Sequence, residues 1–97
     1  MSESANTGIQ QREVHYDGRV QGVGFRYRAR EIAASYQVTG FVQNLFDGQV
    51  LLVVEGEAAV LDRFLADIEQ QMRRNIEGRQ VRIRPATDEF DGFEIRH

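Results

Sequence analysis

Apolar and polar residues alternate along 13–19, with Val14 and Tyr16 on one side and His15 and Asp17 on the other, which predicts a strand with one buried face. Residues 18–24, Gly-Arg-Val-Gln-Gly-Val-Gly, break that pattern with glycines and read as a loop. Over 25–36 the period changes, and Phe25, Ala29, Ile32, Ala33 and Tyr36 recur at helical spacing. A second strand follows over 38–45, and Phe46-Asp47-Gly48 supplies the Asp-Gly turn that sends the chain back through a third strand at 49–56. Residues 57–74 place Val60, Leu61, Phe64, Leu65, Ile68 and Met72 on one stripe, with Asp62, Arg63, Asp67 and Glu69 outside it, as in an amphipathic helix. After a turn near Glu77-Gly78, Val81 and Ile83 alternate with Arg82 and Arg84 until Pro85 ends the run. Residues 93–96 alternate once more as a short last strand.

This β-α-β-β-α-β order predicts an α+β, ferredoxin-like sandwich: an antiparallel sheet of four strands plus a short C-terminal fifth, with two helices on one face. The third strand, apolar on both sides at Leu51, Leu52, Val53 and Val54, belongs in the middle of the sheet. The first and second strands then run the same way on either side of it and end on the same rim. The loop at 18–25 and Asn44, at the end of the second strand, become neighbours across two strand spacings, roughly 10 Å.

Composition limits what that rim can bind. The polar residues 1–11 are expected to form a loose N-terminal arm, leaving 12–97 as one domain that builds its core from a chain of 41% hydrophobic residues. Zero cysteines exclude disulfides, thiol catalysis and thiolate metal sites. Nothing resembles a signal peptide or a membrane span, so a cytoplasmic protein is expected, with a monomer as the simplest state. A net charge of −3 argues against a nucleic-acid or anionic-membrane partner, because backbone-phosphate affinity needs many net positive contacts. Any anion site must be local. Arg12, Arg19, Arg26, Arg28 and Arg30 stand in one segment against only Glu13 and Asp17.

The loop within that segment has the makings of an anion cradle. Gly22 and Gly24 allow consecutive backbone N–H groups to turn inward, and the helix starting near Phe25 adds unpaired donors. Arg26 lies in the first helical turn, where a cation costs about 0.3–1 kcal/mol against the helix dipole, and Arg30 one turn on repels it. A fixed anion reverses both penalties, and a guanidinium fork suits phosphate bidentately. The plainer alternative is a glycine connection that turns a corner beside solvated arginines. The segment is no dinucleotide fingerprint, since Tyr27 stands where the third glycine would be, and it lacks the Gly-Lys-Ser/Thr ending of a P-loop.

Residues 18–26, Gly-Arg-Val-Gln-Gly-Val-Gly-Phe-Arg, resemble the phosphate loop of the acylphosphatases. Gly40-Phe41-Val42-Gln43-Asn44, followed by Asp47-Gly48-Gln49-Val50, resembles that family's second block at the same spacing. Phe41 replaces the usual Trp, Gln43 a frequent Arg, and the link at 73–79 lacks a common Gly-Pro. The resemblance runs over residues 13–97 and implies the ferredoxin-like fold and hydrolysis of a carboxyl–phosphate bond. It also implies Arg26 and Asn44 as catalytic side chains, with phosphate held by Val20, Gln21, Gly22, Val23, Gly24, Phe25 and Arg26. The expected partners are a small acyl phosphate as substrate and inorganic phosphate as product and inhibitor, with no cofactor and no metal.

The remaining residues fit that chemistry. No His-Glu-x-x-His cluster is present, the serines lie in the arm or inside a helix, and His15 is expected on the wet face of the sheet. Asp47 reads as a turn residue, and Asp88, Glu89 and Asp91 as a solvated acidic bend. Two rivals keep the fold: an RNA-binding module, for which the third strand lacks stacking aromatics, and a non-catalytic module that binds carbamoyl phosphate or another anion. The chain ending at His97 favours a free-standing enzyme over the latter.

Overall fold

The computed structural model describes residues 8–97. The elements are β1 (Ile9–Gly18), α1 (Phe25–Ala33), β2 (Thr39–Asn44), β3 (Val50–Glu57), α2 (Ala58–Gln71), β4 (Ile76–Pro85) and β5 (Phe93–Arg96). They form a two-layer α+β sandwich with a five-stranded sheet in the order β4-β1-β3-β2-β5. The pattern-derived order of elements holds, and β3 is central as its two-sided apolar run requires. Alternation sends Val14 and Tyr16 of β1, Val42 of β2, and Val50, Leu52 and Val54 of β3 into one core with Phe25, Ala29, Ile32 and Ala33 of α1. Leu61, Phe64, Leu65 and Ile68 of α2 close it, and Phe64 meets the rings of Tyr36 and Phe93 edge-on. Burying one such side chain is worth about 1.5–3 kcal/mol, which fixes which face of each strand the helices cover.

The structure corrects four expectations. The first strand begins at Ile9, so residues 9–11 of the expected arm pair with β3, while residues 1–7 lie outside the described residues. Their polarity misled because it is matched inside the fold: the buried Gln11 amide donates to Glu55 at 2.8 Å, and the buried Arg12 guanidinium pairs with Asp62 of α2 at 2.7 Å. The first helix stops at Ala33 rather than Tyr36, because its end tightens into i→i−3 bonds from Ser35 and Tyr36. The turn expected at Glu77-Gly78 lies within β4; the chain reverses at 72–75, where the Asn75 and Ile76 amides both bond Met72 O. Finally, the sheet is mixed, since β5 runs parallel to β2.

The parallel pairing follows from the link at 86–92. To pass from β4 at one edge to β5 at the other it must cross four strand spacings, roughly 19 Å of the about 23–25 Å that seven extended residues span. Too little length is left to travel the length of the sheet as well, so β5 starts at the rim where β4 ends and runs back beside β2. Glu55 ties the link down on the way: its buried carboxylate accepts from Thr87 N and Oγ1, both at 2.8 Å, from Asp88 N at 2.9 Å, and from Gln11. Arg96, stacked 3.8 Å over the Phe41 ring with Phe90 beyond, adds a second hold.

Burial raises the Glu55 pKa, but the four donated hydrogen bonds outweigh it and hold the carboxyl below the ordinary glutamate value. A carboxyl whose folded pKa is depressed stabilises the fold above its unfolded pKa of about 4.3, and that stability is lost as the pH falls through the lower folded value. Glu55→Gln is therefore expected to cost on the order of 2 kcal/mol at neutral pH and to flatten the loss of stability below about pH 4.3. Urea midpoints from pH 7 down to 2.5 check this; parallel curves for the two proteins would contradict it.

Candidate active site

The loop after β1 is strung between two buried side chains, Val20 and Phe25, the latter packed on Tyr16 at 5.3 Å between ring centroids. Between these anchors residues 22–24 are exposed. Gly22 and Gly24 take φ of +75° and +81°, a region that suits glycine, and no atom would crowd a Cβ at either. Backbone conformation, rather than space, calls for glycine here. Gly24 is the N-cap of α1, and its carbonyl receives the first helical bond, from Arg28 N at 3.0 Å. The exposed loop and the start of α1 thus share one end of the sheet.

Gln21 fastens this loop to the β2–β3 hairpin. Its Nε2 donates to Leu45 O at 2.7 Å and to Gln49 O at 2.8 Å. Gln49 is itself braced, giving its amide to Asp17 at 2.6 Å and receiving His15 Nδ1 at 3.3 Å, so the end of β1 is also tied to the hairpin. His15 lies on the face away from the helices, as expected, with Nε2 3.2 Å from Glu13. Asp47 is a turn residue: its Oδ1 accepts from Gln49 N at 3.0 Å.

Asn44 ends β2 in register with Val50, which pairs in turn with Tyr16, so Asn44 sits level with the last turn-in of β1 two strands away. Its Oδ1 is buried and accepts no hydrogen bond from any described residue. Such acceptors are rare in folded proteins and ask for a reason. Arg26, in the first turn of α1, donates from Nη1 to Arg96 O and meets His97 Nδ1, each at 3.2 Å. The other arms of the fork have no hydrogen bond among the described residues.

The contribution of β5 was not legible in the sequence. His97 reads there only as the last residue, yet the parallel pairing of Gln43 with Arg96 carries the end of β5 to the Asn44 rim. The arginine cluster is also less uniform than its sequence implies: Arg12 is neutralised by Asp62, Arg28 donates to Gln71 at 3.0 Å, and Arg30 stacks on Tyr27 at 5.4 Å. Below the rim, burial together with the carboxylate of Glu69 pushes the Tyr16 hydroxyl far above its usual pKa; it donates to Glu69 at 2.9 Å and is not a proton-transfer group. The described residues contain no group of three or more His, Asp or Glu able to hold a metal ion, and no helix among them is long and apolar enough to cross a membrane.

Fold and rim together define an α+β domain of the ferredoxin-like class, with a glycine loop, an arginine and an amide at one end of the sheet. Residues 12–95 match the Acylphosphatase family, and the chain belongs to that family. It is 34% identical over 89 residues to an acylphosphatase of Archaeoglobus fulgidus, a match spanning 88% of this chain and 96% of the relative. The crystal structure of acylphosphatase from Bacillus subtilis superposes with a TM-score of 0.81 at 28% identity, covering 91% of this chain and 99% of that one. A crystal structure of full-length HypF in the phosphate- and nucleotide-bound form matches at 33% identity and a TM-score of 0.77, covering 92% of this chain but only 12% of HypF. The protein is accordingly a hydrolase of small acyl phosphates.

Proposed function

We propose that this enzyme holds the phosphoryl group in the loop at residues 20–25 and on Arg26, and that Asn44 places the attacking water. Acyl phosphates suit a site without an acid or a poised base, because the leaving carboxylate is stable without a proton. Water adds to phosphorus, the bond from phosphorus to the acyl oxygen breaks, and the water's proton passes to a phosphate oxygen of the substrate. Charge on the equatorial oxygens then has to be met by fixed donors, which the loop amides and the guanidinium supply, and the water has to be aimed.

The single observation that carries the second role is the place of Asn44, which ends β2 in register with Val50 and Tyr16 on the rim that the loop shares. An amide oxygen accepts a hydrogen bond from water while its nitrogen donates to a phosphoryl oxygen, which orients the pair. The bonds of Arg26 to Arg96 O and His97 support the first role, since they steady one arm of the fork and leave the others for a ligand. The same reading takes the protein to be a cytoplasmic monomer with inorganic phosphate as product and inhibitor.

Hydrolysis of benzoyl phosphate, with inorganic phosphate as competitor, tests the reading. We expect turnover with competitive inhibition, unchanged by chelators and varying weakly with pH around neutrality. A bell-shaped profile centred near pH 7 would argue for a side-chain base. The kinship with a segment of HypF keeps one rival in view, a binding module for carbamoyl phosphate or a similar anion; phosphate binding without turnover would establish it.

A further inference from the structure

The β1–β3 ladder ends at the pair Tyr16–Val50 and the β2–β3 ladder at Asn44–Val50. One step further toward the rim, the same registers bring Asp17, Gln49 and Leu45 side by side. Asp17 leads into the loop that holds phosphate on the proposed reading, and Leu45 follows Asn44. Gln49 stands between them and bonds to both. Its backbone carbonyl accepts from Leu45 N at 2.9 Å, and its side-chain Nε2 donates to Asp17 Oδ1 at 2.6 Å. The same carbonyl accepts from Gln21 Nε2 at 2.8 Å, out of the loop itself.

The two sides of this row are held differently. Toward β2 the backbone alone carries it, and a backbone bond survives substitution at 49. Toward β1 the ladder has stopped, and the Gln49 amide takes its place. The amide is oriented as well: its NH2 group faces the Asp17 carboxylate, which leaves Oε1 toward His15 Nδ1 at 3.3 Å. Without that amide the base of the loop keeps its hold on the far side, where Arg19 N bonds Asn75 O at 2.9 Å, and retains only Gln21 toward the hairpin. We propose that Gln49 is a positioning residue for the reaction, which through Asp17 fixes the separation between the phosphate loop and the strand end that carries Asn44. Phosphate binding needs the loop and Arg26 alone. Turnover needs phosphorus and water in one geometry, and a misplacement of about 1 Å costs up to about 10²-fold. Gln49 therefore bears on kcat more than on binding.

This inference rests on the roles proposed for Arg26 and Asn44, and its test keeps the two apart. Gln49→Leu preserves side-chain size and the backbone bonds but removes the amide. It is expected to lower kcat for benzoyl phosphate about 5- to 20-fold, while the inhibition constant of inorganic phosphate changes less than about 2-fold. In an Asn44→Ala background the same substitution should cost nothing further, because the group it aligns is gone. Gln49→Glu, which sets a second carboxylate against Asp17, should also lower kcat, and adding Asp17→Asn should restore it by returning a donor to the pair. That rescue decides the matter even where Gln49→Leu does not fold. A wild-type kcat in Gln49→Leu, an equal fall with Asn44 present or absent, or no rescue by Asp17→Asn overturns the proposal and leaves Arg26 and Asn44 in their roles. A normal rate in Asn44→Ala alone overturns the underlying assignment as well.

Discussion

Replacing Arg26 by alanine is expected to lower kcat/KM for an acyl phosphate by at least about 10³-fold and to abolish inhibition by inorganic phosphate, with no loss of folding stability. The kinetic part follows from the role given to the guanidinium, which meets phosphoryl charge in the ground state and the transition state alike. The stability part follows from where the residue stands. At the start of α1 a cation opposes the helix dipole at a cost of about 0.3–1 kcal/mol, and its bonds to Arg96 O and His97 are exposed to solvent. Urea midpoints for the variant should match or slightly exceed those of the wild type. Arg26→Lys keeps the charge but loses the fork, and should recover only part of the activity. Retained phosphate inhibition in Arg26→Ala would move the anion site elsewhere.

Asn44→Ala is expected to separate binding from turnover. Phosphate inhibition should persist, because the loop and Arg26 are intact, while kcat falls at least about 10²-fold, the usual cost of removing a positioning donor. The fold should tolerate the change well. Removing a buried acceptor that already has no protein partner creates no new unpaired group, unlike most truncations of buried polar side chains. An Asn44→Ala enzyme of normal rate would remove the water-placing role. Set beside Arg26→Ala, the pair also distinguishes a hydrolase from an anion-binding module, in which Asn44 has nothing to orient.

The two assignments depend on contacts that differ in how openly the chain displays them. The glycines at 22 and 24 and the arginine two residues on are local, and their spacing alone suggested a cradle, whereas the anchoring of the loop by the buried Val20 and Phe25 belongs to the fold. Gln21 is also within that stretch, but the use of its side chain is not local: the carbonyls it holds belong to Leu45 and Gln49. Topology placed Asn44 on the rim of the loop, whereas the burial of its oxygen is a matter of tertiary packing that no periodicity encodes.

Patterning by itself determined the order of elements, the helices' buried stripes, the central place of β3 and the shared rim of the loop and Asn44. These are set by periods of two and 3.6 and by turn residues, which act over a few positions. Tertiary structure alone decided that residues 9–11 extend β1, that β4 takes in Glu77 and Gly78, and that β5 runs parallel to β2 and brings Arg96 and His97 to Arg26. Each of these rests on partners far apart in the chain, such as Gln11 with Glu55, Arg12 with Asp62, and the crossing link with Glu55. A polar residue looks the same in sequence whether it meets water or a buried partner, and only the folded chain distinguishes the two.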